Sequence, residues 1–276
     1  MIDEILLRAL ELLRTHGPSD AENLLYNRWF HEEVAQERDY PRPEAYRAAT
    51  LDSRRFEPGW RVVAASAGAA GAVIAERGGE QRVLAPPECA PERPGCLRFA
   101  PGELLLADPL AGTPHNGFWH LSPSAWRRGP PTRRQRLYFG VAPGDEVTFA
   151  RLFAGRAPIE GNWTFKILCG RHSAGRQDPA VLYLDENEAI EDGWVADFIA
   201  GAGPLLTGTL PKLTRPLAAG VGWARDPGNN LSYGQLLCRT LGEIADREGM
   251  LADEAAWLNA ARRKLAGIVP AGVVHD

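Results

Sequence analysis

The sequence predicts an α+β protein. The C-terminal half reads as a mixed or antiparallel sheet flanked by helices, and the N-terminal half as helical and β-rich. Three observations carry this. Apolar residues near the N-terminus recur at helical spacing. Residues 60–121 hold short apolar stretches between Gly and Pro. From Gln135 onward, alternating segments and amphipathic segments follow one another. The chain has 276 residues, 45% hydrophobic and 24% charged, which suffices for a sizeable core and excludes wholesale disorder.

Ile2, Ile5, Leu6, Ala9, Leu12 and Leu13 form one helical face, and Gly17-Pro18 ends it. Ser19-Asp20-Ala21-Glu22 has the form of a capping box, opening a second helix past Trp29 towards Val34. Pro41 and Pro43 break that helix, and a short one follows. Strands are expected at 60–65, 72–76, 81–84, 97–99 and 104–107. Residues 122–135, rich in Pro and Arg, read as a linker or surface loop. The organisation expected is therefore an N-terminal region, 1–125, and a second domain, 135–276. In the latter, strands are expected at 136–141, 163–168 and 180–184, and helices at 145–154, 187–202, 232–248 and 253–266. Residues 213–233, dense in Gly, Pro and Asn, read as a long shaped loop leading to a helix capped by Ser232.

The net charge of −4 argues against a sequence-blind nucleic-acid binder. No apolar run approaches the ~18 residues of a membrane span. The acidic, amphipathic start is unlike a signal peptide. Four scattered cysteines suggest a reduced, cytoplasmic protein without a disulfide framework. His115 and His120 lack the spacing of helical metal ligands, Cys89 and Cys96 have no close His pair, and no metal is expected. No cofactor motif is present: the Gly-rich stretch 64–72 lacks both the dinucleotide pattern and a Walker lysine.

Of 31 basic residues only Lys166, Lys212 and Lys264 are lysines. Lysine, unlike arginine, can lose its proton when buried, so each is a candidate base as well as a candidate surface residue. Strand alternation puts Arg136 and Tyr138 on one face, Lys166 on a face with Thr164, and Tyr183 on a face with Val181. If the three strands are neighbours, these side chains gather on one surface. Arg171, His172 and Arg176 follow in the intervening loop. Such a cationic pocket suits a phosphate and a reaction needing a base. The plainer readings are a snorkelling lysine and half-buried tyrosines. Arg215 and Arg225 add charge to the 213–233 stretch, which either binds an anion at the helix start or simply connects. The arginines at 127, 128, 133 and 134 either contact an anion or lie on a solvated loop.

The order RLYFGV, FKIL, GRQDPAVLYL and LTRPLAAGVGWARDPGNNLSYGQLLCR, spread over residues 135–248, resembles the HopA family. That family includes type III effectors of plant pathogens. It also includes proteins of class V lanthipeptide and thioamitide gene clusters. In such clusters the resemblance implies a phosphoserine/phosphothreonine lyase, acting on a ribosomal precursor peptide that a kinase-like partner has phosphorylated. A more distant likeness is to the phosphothreonine lyases secreted by animal pathogens. There Arg136-x-Tyr138 stands where Lys-x-His is found, Lys166 stands at the base, and Arg171 or Arg176 precedes the Leu182-Tyr183 strand.

The implied reaction is metal-independent β-elimination. Lys166 takes the Cα proton, and Arg136, Arg171, Arg176, Arg215 and Tyr183 hold the phosphate. Tyr138 protonates the leaving oxygen in place of histidine. The partners implied are the phosphorylated peptide and the kinase-like protein, with no nucleic acid and no membrane. The chain departs from the family pattern where Arg225 precedes Asp226-Pro227 and where Leu236-Leu237 replaces His-Arg before Cys238. Arg239 lies one residue beyond that cysteine. The rival reading is a non-catalytic scaffold for kinase and peptide, or a secreted effector that engages a host protein.

Overall fold

The structure is a computed structural model. It describes residues 2–30, 38–52, 56–65, 71–84, 88–92, 99–123, 134–172, 178–226, 231–247, 250–270 and 273. The chain opens with helices α1 (Ile2–His16) and α2 (Ala21–Leu25), the latter running into a π-helical turn, Tyr26–Phe30. Strand β1 (Arg38–Asp39) and helix α3 (Pro43–Thr50) follow. Then come β2 (Glu57–Ala65), β3 (Val73–Arg77), β4 (Glu80–Leu84), β5 (Cys89–Pro91), β6 (Leu104–Ala107), β7 (Leu110–His115) and β8 (Phe118–Pro123). The rest alternates: β9 (Arg134–Phe139), α4 (Glu146–Arg156), β10 (Trp163–Leu168), β11 (Arg171–His172), β12 (Ala180–Asp185) and α5 (Gly193–Ala202). It ends with β13 (Arg215–Ala218), β14 (Val221–Arg225), α6 (Tyr233–Ala245) and α7 (Glu254–Leu265).

The α+β class is therefore the observed one. A seven-stranded antiparallel sheet runs in the order β13-β14-β9-β12-β10-β8-β7. A second sheet runs β4-β3-β2-β6-β5, and β1 pairs with β11. Strands β7 and β8 precede residue 124 yet complete the large sheet beside β10. The segments on either side of 124–133 thus share one sheet.

The large sheet separates two cores. On one face Leu137, Phe139, Phe165, Ile167 and Leu182 meet Phe149 and Phe153 of α4 and Phe198 of α5. On the other, the helices α1, α2, α6 and α7 form a layer. Leu6, Leu10, Leu25, Leu237, Leu241 and Trp257 pack there together with Tyr138, Val181 and Ala224 of the sheet. The strand alternation explains the split, because successive residues of β9 belong to opposite cores.

Several local expectations need correction. The Ser19–Glu22 capping box does not form: α2 has Asp20 at its N-cap, in a left-handed conformation and without a cap hydrogen bond. The Ala21 N–H donates instead to the Pro18 carbonyl, so the Gly17-Pro18 turn sets the helix entry. The predicted continuation to Val34 lies outside the described residues. The helix expected from residue 187 starts at Gly193. Of the strand expected at 97–99, residues 97 and 98 lie outside the described residues. The long loop of 213–233 is largely a β-hairpin, β13–β14. Its Ala and Gly content hid the alternation, because small residues on both faces erase the period-2 signal. Gly220, with φ +72°, makes its turn, and a Cβ there would lie 2.0 Å from the Thr207 carbonyl oxygen.

Candidate active site

The strand order places β9, β12 and β10 side by side, with β8 beyond β10. Register then decides which side chains share a face. Arg136 lies opposite Tyr183, and Tyr138 opposite Val181. Lys166 lies between Val181 on one side and His120 on the other. Arg136, Tyr138, Tyr183 and Lys166 therefore occupy one face, joined by Arg134 and His120.

Arg136 is the most constrained member. Its Nε and Nη2 both donate to one oxygen of Asp226, at 3.0 and 2.7 Å. Its guanidinium lies over the Tyr183 ring, 4.8 Å from the centroid. Burial alone would lower its pKa, but the nearby phenols and Asp226 outweigh that and raise it.

The Lys166 ammonium stands over two rings, 4.5 Å from the Phe118 centroid and 5.4 Å from that of Tyr183. Among the described residues no carboxylate forms an ion pair with it, whereas Arg136, on the same face across β12, has one. Burial raises the Tyr183 phenol. The Lys166 charge, the Arg136 charge and a hydrogen bond with Lys166 more than reverse this, and the net shift is downward. The Tyr138 phenol behaves oppositely. Burial pushes it well above the ordinary range, Arg136 offsets this only in part, and it stays protonated.

His120 was missed as a member of this face. Burial, then the Lys166 charge and then His115 lower its pKa to about 4, so it is a neutral imidazole near pH 7. Its ring lies 5.9 Å from that of His115. Its spacing from His115 carries no metal-ligand signal in the sequence, and only the β8–β10 register reveals Lys166 as its neighbour. Asp226 was also missed, because an acid just past a strand end gives no sign of the arginine it meets 90 residues earlier. Asp178 is wholly buried and close enough to Tyr138 to raise its pKa. Among the described residues, no group of three or more His, Cys, Asp and Glu side chains is arranged to hold a metal ion.

No family model matches the chain, and no curated protein matches it in sequence. Solved structures do. An effector protein of Pseudomonas syringae pv. syringae strain 61 aligns over 96% of this chain and 92% of its own, with TM-score 0.52 and 13% identity. The fold is shared with a bacterial effector. A second effector, from P. syringae pv. tomato strain DC3000, aligns over 54% of this chain and 58% of its own, with TM-score 0.42 and 16% identity.

The remaining candidates are placed differently. Arg215 lies opposite Trp223, which lies opposite Leu137, so it is on the other face of the sheet from Arg136. It does not join the cationic group: the hairpin register, invisible while 213–233 read as a loop, turns it away. Arg171 is exposed on β11, which pairs with β1 rather than with the large sheet. Arg176 lies outside the described residues. Tyr138 is only 3% exposed and meets Phe30 edge-on, which makes its phenol part of the helix–sheet core rather than an open acid. Arg239 pairs with Glu22 at 2.9 Å on the exposed side of α6, and Leu237 fills the helical core. Of the two residues that replace His-Arg, Leu237 therefore serves packing. Among the described residues no helix is long and apolar enough to cross a membrane.

Proposed function

We propose that the polar sheet face catalyses metal-independent β-elimination of phosphate from phosphoserine or phosphothreonine of a ribosomal precursor peptide. The setting is the cytoplasm, after a kinase-like partner has installed the phosphate. Lys166, as the neutral amine, takes the Cα proton, and the electron pair of the broken Cα–H bond becomes the second Cα–Cβ bond. The Cβ–O bond breaks, and its pair leaves on the phosphate. The products are inorganic phosphate and a dehydroalanine or dehydrobutyrine residue.

The observation that supports this reading best is the convergence on one face of a lysine with no carboxylate partner among the described residues, an arginine and a phenol of lowered pKa. Asp226 occupies Nε and Nη2 of Arg136, which leaves Nη1 for a phosphate oxygen. Tyr183, whose ring centroid lies 5.4 Å from the Lys166 amine, would help to orient it. The fold likeness to an effector favours a second reading, binding of a host protein by a secreted chain without catalysis.

The test is mass spectrometry of a phosphoserine precursor peptide incubated with the protein and EDTA. Wild type should release one phosphoric acid per site, and Lys166→Ala should be slower by about 100-fold or more. Loss at equal rates from both proteins would remove Lys166 as base. No loss with the cognate kinase and precursor present would leave the binding reading.

A further inference from the structure

On the far face of the sheet, a cavity of about 540 Å³ opens between α5 and β13. That volume is within the range of small-ligand sites. Ile190, Ile199, Ala200 and Leu217 make its apolar walls, and Arg215 and Glu191 are its charged groups. It shares no residue with the Lys166 face.

Arg215 is prepared for an acceptor it does not have. Its guanidinium lies over the Trp223 ring, 4.7 Å from the centroid, and that stacking fixes its plane. Its Nε is buried and makes no hydrogen bond. That leaves the terminal nitrogens as the donors open to the cavity, with Nη2 towards Glu191. Glu191 does not supply the acceptor: it approaches Nη2 only to 3.7 Å, beyond hydrogen-bond length, and its side chain is 84% exposed. A carboxylate entering the cavity can accept from Nη1 and Nη2 together, in the end-on paired geometry that guanidinium also allows. The apolar walls then ask for an aliphatic group beside the carboxylate.

We infer that this cavity binds a carboxylate carried next to an aliphatic group, with Arg215 as its anchor and Glu191 as a weak competitor that the ligand displaces. The chemistry is shared by a free aliphatic acid and by a peptide ending in an aliphatic residue. Titration calorimetry with two matched pairs separates them: hexanoate against hexanamide, and acetyl-Ala-Ala-Leu with a free C-terminus against its C-terminal amide. The indole N–H signal of Trp223, which donates to Gln135 Oε1 at 2.9 Å, reports the site by NMR.

In at least one pair the carboxylate should bind about tenfold or more tighter than its amide, and the pair that does so names the source. Arg215→Met should remove that preference. Glu191→Gln, which deletes only the competitor, should tighten carboxylate binding several-fold and guards against misfolding of the arginine variant. Equal binding of acid and amide in both pairs, no binding in either, or weaker binding by Glu191→Gln would overturn the proposal. None of these outcomes bears on elimination at Lys166.

Discussion

Asp226 holds Arg136 through two nitrogens, and both side chains are nearly buried. Removing one partner of such a pair leaves the other charge without compensation, which costs about 3–5 kcal/mol. Asp226→Asn should therefore lower the unfolding free energy by that amount, read as a lower urea midpoint at unchanged slope. His120 sets a pH dependence. Its folded pKa is about 4, against 6.5 for the free side chain. Above pH 6.5 the ring is neutral in both states and contributes nothing. As pH falls towards 4 the unfolded chain takes up a proton that the folded chain refuses, and stability drops. For a half-buried ring the loss is about 2 kcal/mol, discounted for solvent screening. Urea unfolding of wild type and His120→Gln between pH 4 and 7 checks this: the slope in that window should shrink in the variant.

Two elements offer sharper tests than their exposed neighbours. Helix α6 starts with a complete capping box: Ser232 accepts from the Gln235 N–H at 3.1 Å, and the Gln235 side chain accepts from the Ser232 N–H at 2.8 Å. Ser232→Ala should cost about 1 kcal/mol in chemical denaturation. The β13–β14 hairpin depends on Gly220, whose positive φ and contact with the Thr207 carbonyl both exclude a side chain. Gly220→Ala should cost about 2 kcal/mol or more, because strain and a backbone clash add. The hairpin also carries Asp226 at its end, so loosening it should weaken the grip on Arg136.

At the scale of the whole molecule, segments before and after residues 124–133 interlock in one sheet, and the terminal helices are tied to each other. Strand β8 pairs with β10 and β7 with β8, and α1 is tied to α7 by the Arg262–Asp3 ion pair and to the segment before α7 by the Arg14 Nε bond to the Leu251 carbonyl at 2.7 Å. A truncate lacking residues 1–125 would expose one long side of β10 and the underside of α6. It should show no cooperative unfolding transition and no native near-UV circular dichroism. A folded truncate of normal stability would show instead that the C-terminal part is autonomous.

The α+β class and the Arg136, Tyr138, Lys166 and Tyr183 alternation were readable from local periodicity, because a strand's two faces follow directly from residue parity. Helices α1, α6 and α7 were readable for the same kind of reason. Adjacency was not. That β8 lies beside β10, that Asp226 meets Arg136, and that Arg215 faces the opposite side all depend on pairings between distant segments, which no local pattern encodes. Parity specifies the faces of each strand; only the packed sheet decides which faces meet, because register is set by long-range burial and hydrogen bonding rather than by neighbouring residues.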